Sequence, residues 1–468
     1  MKNKQCLFLI RGDRYIPRPF RMGLLIIIGI FLIGNSNAQS FGFADEETEM
    51  LPGANKPVPV EISGEVSASM IGYADDFKKG PDHVALGDIF SGKLKFTASN
   101  AFADGIINLN LVPDVLPINI DEAYVRAYSG GFEVEAGLRK LSWGKADSFG
   151  PLDVINPLDY SQIFIEMADH TGLLGIKIAR PLVHAVFRFG EFSKIEGVFI
   201  PWFQPHEISR TGRWADSQMS EMFSLAESFG IKPLEPDTHT LEYAQAGLRF
   251  TTTIGSADIG VQYYYGRLRE PSADVKVGLM PPVVDVLYNP YHQIGLDYAQ
   301  VLFGFNMRAE LAANITEDLD GDDGSIYNPF IAWSIGFDRD LVLGINLNLQ
   351  VNENIRLMQD KVGEKLVIGP MGPNVDHIDM ESGKKLTATR LSAAVSRKFL
   401  RDELELRTAV AWGIEDEDCV IMPSLIWTKN DLRFSFSGGI FAGNAEGQIG
   451  QYADRENHFI KVSFAYSF

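Results

Sequence analysis

The amino-acid sequence predicts an all-β protein: a transmembrane antiparallel β-barrel of about 18 strands, with 16 strands also compatible. Three observations predict this fold. The N-terminal segment is typical of secretion, apolar and polar residues alternate along most of the chain, and the connections are alternately short and long. No stretch after the N-terminal segment offers about 18 consecutive apolar residues. A chain of this kind can therefore cross a membrane only as a closed barrel.

Residues 1–38 are predicted to be a cleaved secretory signal peptide. Basic residues from Lys2 to Arg21 precede the apolar run MGLLIIIGIFLIG (22–34), and small residues ending at Ala38 follow. This run is short for a membrane-spanning helix, which needs roughly 20 residues, so cleavage is favoured over an uncleaved anchor. Cleavage leaves residues 39–57 as a short periplasmic N-terminal segment and residues 58–468 as the barrel.

The composition excludes nucleic acid as a partner. The chain has 42 Lys+Arg and 61 Asp+Glu, a formal net charge of −19. Removing the six basic residues and the one acidic residue of the signal leaves 36 Lys+Arg and 60 Asp+Glu. This excess of negative charge repels a phosphate backbone. Of the 2 Cys, only Cys419 follows the signal, so the mature chain contains no internal disulfide.

Eighteen segments are predicted as strands because apolar and polar residues alternate along them and so fall on opposite faces. In LVLGINLNLQVN (341–352), apolar odd-numbered positions oppose Asn346, Asn348, Gln350 and Asn352, and neutral amides suit a water-filled lumen. The predicted strands are 58–72, 88–99, 105–112, 120–128, 132–139, 171–189, 194–203, 240–253, 259–268, 291–302, 305–314, 329–338, 341–352, 385–398, 403–414, 419–428, 431–442 and 457–468.

The predicted connections sort by length. If both termini lie on the periplasmic side, the inner connections are short, such as 129–131 and 429–430. The outer ones are mostly long, such as 140–170, 204–239 and 353–384. Short periplasmic turns with long outer loops are typical of bacterial outer-membrane barrels. The sequence therefore predicts an outer-membrane location after Sec-type export.

The end of the chain, HFIKVSFAYSF, resembles the C-terminal strand signal of outer-membrane β-barrels. Phe464, Tyr466 and Phe468 occupy alternate positions and the last is the terminal residue. The resemblance implies that this strand pairs with the first strand to close the barrel. It also implies that the barrel-assembly machinery recognises these three residues.

A second segment, AGLRKLSWGKADSFGPLDVINPLDYS (136–161), resembles porin-like outer-membrane proteins of unknown function. The shared pattern is a strand ending in Gly-Arg-Gln, then Trp-Gly, then a loop with Asn-Pro-x-Asp. This chain departs from it by having Leu138-Arg139-Lys140 after Gly137. The resemblance implies location and shape, but no substrate. The matching residues are Gly137, Trp143, Gly144, Asp153, Asn156, Pro157 and Asp159.

The connection after residue 139 is the candidate constriction of the lumen. It combines charges of both signs with an aromatic residue and an Asn-Pro turn. Folded inward, it would narrow the lumen and set a transverse field; the alternative is that Trp143 merely pins the connection to the barrel rim. The candidate residues are Arg139, Lys140, Trp143, Lys145, Asp147, Asp153, Asn156, Pro157 and Asp159.

The stretch DLDGDDG (318–324) is a weak candidate for a structural Ca²⁺ site. Asp318, Asp320 and Asp322 alternate as at the start of a calcium loop, but Pro329 stands where an EF-hand has its glutamate. A solvated acidic outer loop, or divalent bridging to lipopolysaccharide, are the alternatives. No other cofactor is expected.

These features favour a channel for passive or weakly selective diffusion of small solutes, with a mild cation preference. A carrier of hydrophobic compounds and a surface-loop adhesin remain alternatives. The sequence contains no His-Glu-x-x-His and no Gly-x-Ser-x-Gly motif, so an enzyme is not expected. The expected partners are outer-membrane lipid, lipopolysaccharide, the assembly machinery and small solutes.

Overall fold

The computed structural model describes residues 59–80, 90–112, 116–161, 163–168, 175–217, 220, 224, 233–276, 283–364, 368–369, 372–375, 377–454 and 456–468. The strands from Glu61 onward form one compact unit that extends to Phe468. The predicted signal peptide (1–38) and the N-terminal segment (39–57) lie outside the described residues and stay predictions.

Within the described residues, 18 strands pair antiparallel into one closed sheet, which confirms the predicted fold class with 18 rather than 16 strands. The barrel strands are β1 (Val60–Tyr73), β2 (Phe90–Ser99), β3 (Ala103–Val112), β4 (Leu116–Ser129), β5 (Phe132–Arg139), β6 (Arg180–Phe189), β7 (Ser193–Ile200), β8 (Gln245–Ile254), β9 (Ala257–Arg267), β12 (Pro290–Leu302), β13 (Phe305–Thr316), β14 (Phe330–Asp340), β15 (Ile345–Arg356), β18 (Thr387–Phe399), β19 (Leu404–Gly413), β20 (Asp418–Lys429), β21 (Leu432–Gly443) and β22 (Phe459–Ser467).

The remaining strands and the α-helices lie in connections at one end of the barrel. They are the hairpin β10 (Ser272–Lys276) and β11 (Val283–Leu287), the pair β16 (Ile368–Gly369) and β17 (Gly372–Pro373), and the helices α1 (Ala74–Lys79), α2 (Ile163–Ala168) and α3 (Gln451–Asp454). The longest connections, 140–179 and 201–244, are at this same end. The opposite end carries short turns such as 130–131, 255–256 and 430–431. Among the described residues no helix is both long and apolar enough to span a bilayer.

The two faces of the barrel differ because successive side chains of a strand point to opposite sides. On β12, Ile294 and Leu296 are 52% and 48% exposed and face outward, whereas Gln293 and Asp297 are buried and face inward. The same parity places apolar residues outside and polar residues inside on the neighbouring strands, as the register pairs Asp297 with Glu310. The outer surface is therefore an apolar belt around a polar interior.

The barrel closes through its last strand. β22 pairs with β1, and the backbone N–H and C=O of Phe468 each bond to Gly64 at 2.9 Å. Phe464, Tyr466 and Phe468 all point outward and are about half exposed. The aromatic residues singled out in the sequence thus end the ladder on its apolar side.

The structure corrects several strand boundaries. The strand predicted at 240–253 begins at Gln245, the one at 194–203 ends at Ile200, and the one at 120–128 begins at Leu116. In the segment predicted as strand 171–189, residues 171–174 lie outside the described part of the chain, and the described residues 175–179 precede a strand that begins at Arg180. Ile176 and Lys177 are buried in contacts with the segment that precedes them. The strand predicted to begin at residue 341 begins at Ile345. Leu343, with φ at 64°, belongs to a turn whose backbone cannot continue a ladder.

Deleting Phe468 is predicted to impair barrel assembly. The deletion removes two backbone hydrogen bonds to β1 and the last outward aromatic ring. We expect loss of heat-modifiable electrophoretic migration and degradation of the exported chain. As a control, Phe303→Ser alters a turn residue that is 94% exposed and should leave migration unchanged. Wild-type migration and membrane insertion of the truncated chain would contradict the assembly role.

Candidate functional site

The connection between β5 and β6 spans residues 140–179, and its described residues (140–161, 163–168 and 175–179) enter the barrel and pack on its inner wall. Leu141, Trp143 and Ile155 form a buried cluster with Val198 and Tyr264, which face inward from β7 and β9. The indole of Trp143 lies directly against Gly247 of β8, where a Cβ would stand 2.7 Å from the ring. We refer to residues 140–179 as the inward segment.

One buried carboxylate holds the first part of the inward segment. Glu310, in the middle of β13, accepts hydrogen bonds from the backbone N–H groups of Lys145, Ala146 (2.7 Å) and Leu152 (3.3 Å). Gly144 and Gly150 leave space for this approach, since a Cβ at either position would lie within 2.5 Å of a carboxylate oxygen. Backbone donors thereby satisfy an acidic group that would otherwise be costly to bury.

Three glutamine side chains continue this anchoring across the wall. Gln262 of β9 donates to the carbonyl of Leu152 at 3.0 Å, and Gln293 of β12 donates to that of Pro151 at 3.0 Å. Gln350 of β15 accepts from the N–H groups of Asp147 and Ser148 at 3.0 and 3.1 Å. Its amide nitrogen donates to the carbonyl of Phe149 at 3.1 Å. The inward segment therefore follows the inner wall from β9 to β15.

The second part of the segment contacts a different wall. Ile165 and Ala168 of α2 belong to a buried cluster with Val420 of β20 and Phe441 of β21. Phe164 packs edge-on against Phe441, with ring centroids 5.0 Å apart. The inward segment thus contacts strands on both sides of the closed barrel.

Two of the predicted constriction residues lie among lumenal charges. The carboxylate of Asp147 accepts from the guanidinium of Arg308 and from the amide of Asn348 at 2.9 Å. The ammonium of Lys145 lies 3.3 Å from the carboxylate of Asp297, which also pairs with a buried arginine of β8. These contacts place opposite charges within the barrel interior.

Four other candidate residues contact groups away from Asp147. Arg139 pairs with Glu122 at 2.8 Å, and Lys140 pairs with Asp121 at 2.6 Å, so both cations lie against β4. Asp153 pairs with Lys177 at 2.6 Å. Trp143 is 3% exposed inside the wall. None of these four side chains is placed beside Asp147 by a direct contact.

Asn156 ties the two ends of the inward segment together. Its side-chain oxygen accepts from the N–H of Leu141 at 2.8 Å, and its amide nitrogen donates to the carbonyls of Arg139 and Ile178 at 3.0 and 2.9 Å. Pro157 adds a backbone bond, because its carbonyl accepts from the N–H of Ile178. The Asn-Pro motif therefore closes the neck of the segment. The carboxylate of Asp159 accepts from the N–H of Ser161 at 2.8 Å and stabilises the following turn.

A cavity of about 340 Å³ borders the inward segment. Phe149, Val154 and Tyr160 of the segment line it, together with His206 and Tyr327. Burial lowers the pKa of His206 to about 3, so the imidazole is neutral at physiological pH. A cavity of this size is within the range of small-molecule sites.

The acidic stretch 318–324 forms a compact turn. The carboxylate of Asp318 accepts from the N–H groups of Gly321 (2.9 Å), Asp322 (3.3 Å) and Asp323 (2.9 Å). Asp320 is exposed and makes no side-chain contact with this carboxylate. Among the residues that the structure describes, no group of three or more His, Cys, Asp or Glu side chains is placed to hold a metal ion. The geometry gives the calcium interpretation no support.

Sequence reasoning missed the wall residues that receive the inward segment. These residues are Arg249, Gln262, Gln293, Asp297, Arg308 and Glu310. Each occupies the polar face of an alternating strand, as many residues without such a role also do. The contacts are formed between residues far apart in the chain, for example Lys145 and Glu310, and no local pattern marks them.

Replacing Glu310 by Ala is predicted to loosen the inward segment. The change removes the acceptor of three backbone N–H groups, and hydrogen bonds to a charged group contribute about 1.5–3 kcal/mol each. We expect trypsin to cleave the native Glu310→Ala protein after Lys145 and to leave this bond intact in the wild type. Glu310→Gln keeps one acceptor oxygen and should show a smaller effect.

The matched control for this experiment is Glu133→Ala. Glu133 also faces inward, but it pairs with Arg188 at 2.8 Å near the short-turn end, and it forms no hydrogen bond or ion pair with the described residues of the inward segment. Its loss should leave cleavage unchanged. Equal resistance of Glu310→Ala and wild type would show that this carboxylate does not hold the segment.

Comparisons with known proteins found no matching protein-family profile and no matching curated protein. Among solved structures, OccK3 (OpdO) of Pseudomonas aeruginosa is similar with TM-score 0.48 and 8% identity, covering 87% of this chain and 95% of that one. DcaP, an outer membrane channel of Acinetobacter baumannii, gives 0.39 and 10%, covering 88% and 97%. Salmonella typhi OmpF in complex with daunomycin gives 0.38 and 7%, covering 88% and 98%. The fold assignment depends on the strand pairings described above, and the resemblance of residues 136–161 stays a prediction.

Proposed function

We propose that this chain is an outer-membrane channel for diffusion of small solutes, exported by a Sec-type route, in which the inward segment forms the constriction. The apolar belt supports a lipid-facing surface, because lipid-exposed β-structure needs outward apolar residues and no open edge. The polar interior supports a water-filled lumen.

The observation that carries the proposal is the anchoring of the inward segment at mid-height. Glu310 and Gln350 lie in the middle of β13 and β15, and both hold its backbone. Buried hydrogen bonds hold the backbone of the segment on the inner wall. An anchored segment narrows the lumen to a fixed width, whereas an unanchored one would move within it. Asp147, Arg308 and Asn348 are the polar groups that we assign to the narrow part.

Purified protein in planar bilayers is expected to give steady single-channel conductance in KCl. Glu310→Ala should give larger or noisier currents because the constriction is released, while Glu133→Ala should match the wild type. Both variants are compared at equal insertion, scored by heat-modifiable migration. Electrical silence of a correctly folded wild type would overturn the channel and favour a carrier of hydrophobic compounds or an adhesin.

A mild cation preference is the second expectation. Acidic residues outnumber basic ones after the signal is removed, so the mouth carries a negative potential. Salt screens that potential beyond roughly 8 Å at physiological ionic strength, which leaves the charges at the narrow part most important. The three aspartates are not equivalent. Asp147 contacts lumenal groups, Asp153 pairs with Lys177, and Asp159 is bound to its own turn.

Asp147→Asn is therefore predicted to reduce cation preference more than Asp159→Asn does. The first change leaves Arg308 paired only with Asp338 at 2.7 Å, while the second removes a charge outside the narrow part. Reversal potentials across a KCl gradient measure both. Anion preference in the wild type would refute the charge argument, and equal potentials for Asp147→Asn and wild type would remove Asp147 from the constriction.

A further inference from the structure

A column of amide side chains follows the inner face of β15. Alternate residues of a strand share a face and lie about 6.8 Å apart, so the amides form a continuous row through the barrel. The lower end of the row lies at the short-turn end of the barrel, and its upper end lines the cavity described above. The members are Asn346, Asn348, Gln350, Asn352 and Asn354.

Several polar atoms of this amide column are open to a solute. Asn346 donates to Asp340 at 2.9 Å and Asn348 donates to Asp147 at 2.9 Å, but their side-chain oxygens have no hydrogen-bond partner among the described residues. Asn352 accepts from Gln350 at 2.7 Å, which leaves its amide nitrogen available. The exposed side chain of Asn354 has no hydrogen-bond partner in the same part of the chain. The column therefore offers both donors and acceptors.

The strands on either side leave room beside the column. In the ladder with β18, Asn346, Asn348 and Gln350 stand opposite Ser396, Ala394 and Ser392. In the ladder with β14, Gln350 and Asn352 stand opposite Gly336 and Ser334. The other neighbours are charged, because Asp338 and Asp340 stand opposite Asn348 and Asn346, and Arg390 stands opposite Asn352. Carboxylates and guanidinium groups also form hydrogen bonds with hydroxyls. The inward segment occupies the middle of the column at Asn348 and Gln350, which leaves both ends of the column to a solute.

The cavity at the upper end offers ring faces together with neutral and charged polar groups. The Nδ1 of His206 accepts from the N–H of Leu158 at 2.9 Å, so the proton of the neutral ring is on Nε2. Tyr160 packs on that imidazole, and both rings line the cavity. The lining also holds Asp153, Glu270 and Glu381 together with Arg269, Arg356 and Lys384, so acidic and basic groups are equal in number. Arg356 pairs with Glu381 at 3.0 Å.

We propose that the amide column guides a small uncharged polyhydroxylated solute, of about monosaccharide size, from the cavity through the barrel. The proposal rests on the channel function and names its substrate class. A hydroxyl donates and accepts hydrogen bonds, as an amide does, so contacts can pass from one amide to the next. The apolar C–H faces of such a solute match the ring faces of the cavity.

The test uses the full-length variant Asn346→Leu, Asn352→Leu and Asn354→Leu. Leu has the same number of side-chain heavy atoms and the same branching as Asn but no hydrogen-bonding group, and the three sites avoid the anchors Gln350 and Asn348. In proteoliposomes, glucose influx through the variant should fall about fivefold, while its KCl conductance stays within about twofold of wild type.

The matched control is Asn110→Leu with Asn119→Leu. These inward amides lie on β3 and β4, on a different part of the wall, and should leave glucose influx unchanged. Heat-modifiable migration checks that every variant is folded. An ion-conducting triple variant with wild-type glucose influx would refute the amide column. An equal loss in the control would also refute it, since general lumen polarity would then explain the effect. Faster wild-type influx of benzoate or glycine than of glucose would overturn the substrate class. Absence of conductance in wild type would overturn the channel function itself.

Discussion

Closure of one backbone hydrogen-bond ladder is the constraint on which everything else in this molecule depends. β22 returns to β1, so the sheet has no free edge. An exposed edge with outward aromatic residues would be prone to pair with other chains. Closure also fixes the register, and the register decides which residues face inward. A shift of one residue would turn the amides of β15 outward and its Leu and Val residues into the lumen.

The polar interior that closure creates is organised by the inward segment. Buried polar groups are tolerated when they are hydrogen bonded, and here the backbone of the segment supplies many of the partners. Glu310 and Gln350 illustrate this, since each receives two or more backbone N–H groups. The wall and the segment therefore depend on each other. The wall fixes the path of the segment, and the segment supplies hydrogen-bond partners for the buried polar side chains of the wall.

The fold was largely predictable because alternation is a local property of the sequence. The strand predicted at 132–139 has those limits in the structure. The one predicted at 305–314 begins as predicted and ends two residues later, at Thr316. Errors arose where alternation continues outside a ladder, as at Leu343 and around Lys177. Apolar residues at alternate positions do not by themselves reveal where backbone pairing stops.

The site was less predictable for a different reason. Local composition singled out the inward segment, and the structure brings Lys145 and Asp147 to lumenal partners. Local composition could not distinguish these two residues from Asp153, whose partner Lys177 lies in the same segment. Sequence spacing carries no information on which of several charges meets a partner across a barrel.

The neck formed by Asn156 makes the inward segment a self-contained excursion. One side chain binds both ends of the segment, at Leu141 and Ile178. The hydrogen bonds of Asn156 therefore offset the entropy cost of closing the loop. Changes of length or sequence between these points need not propagate into the register of β5 and β6. The sequence of the inward segment can therefore change in evolution while the pairing of the barrel strands is kept.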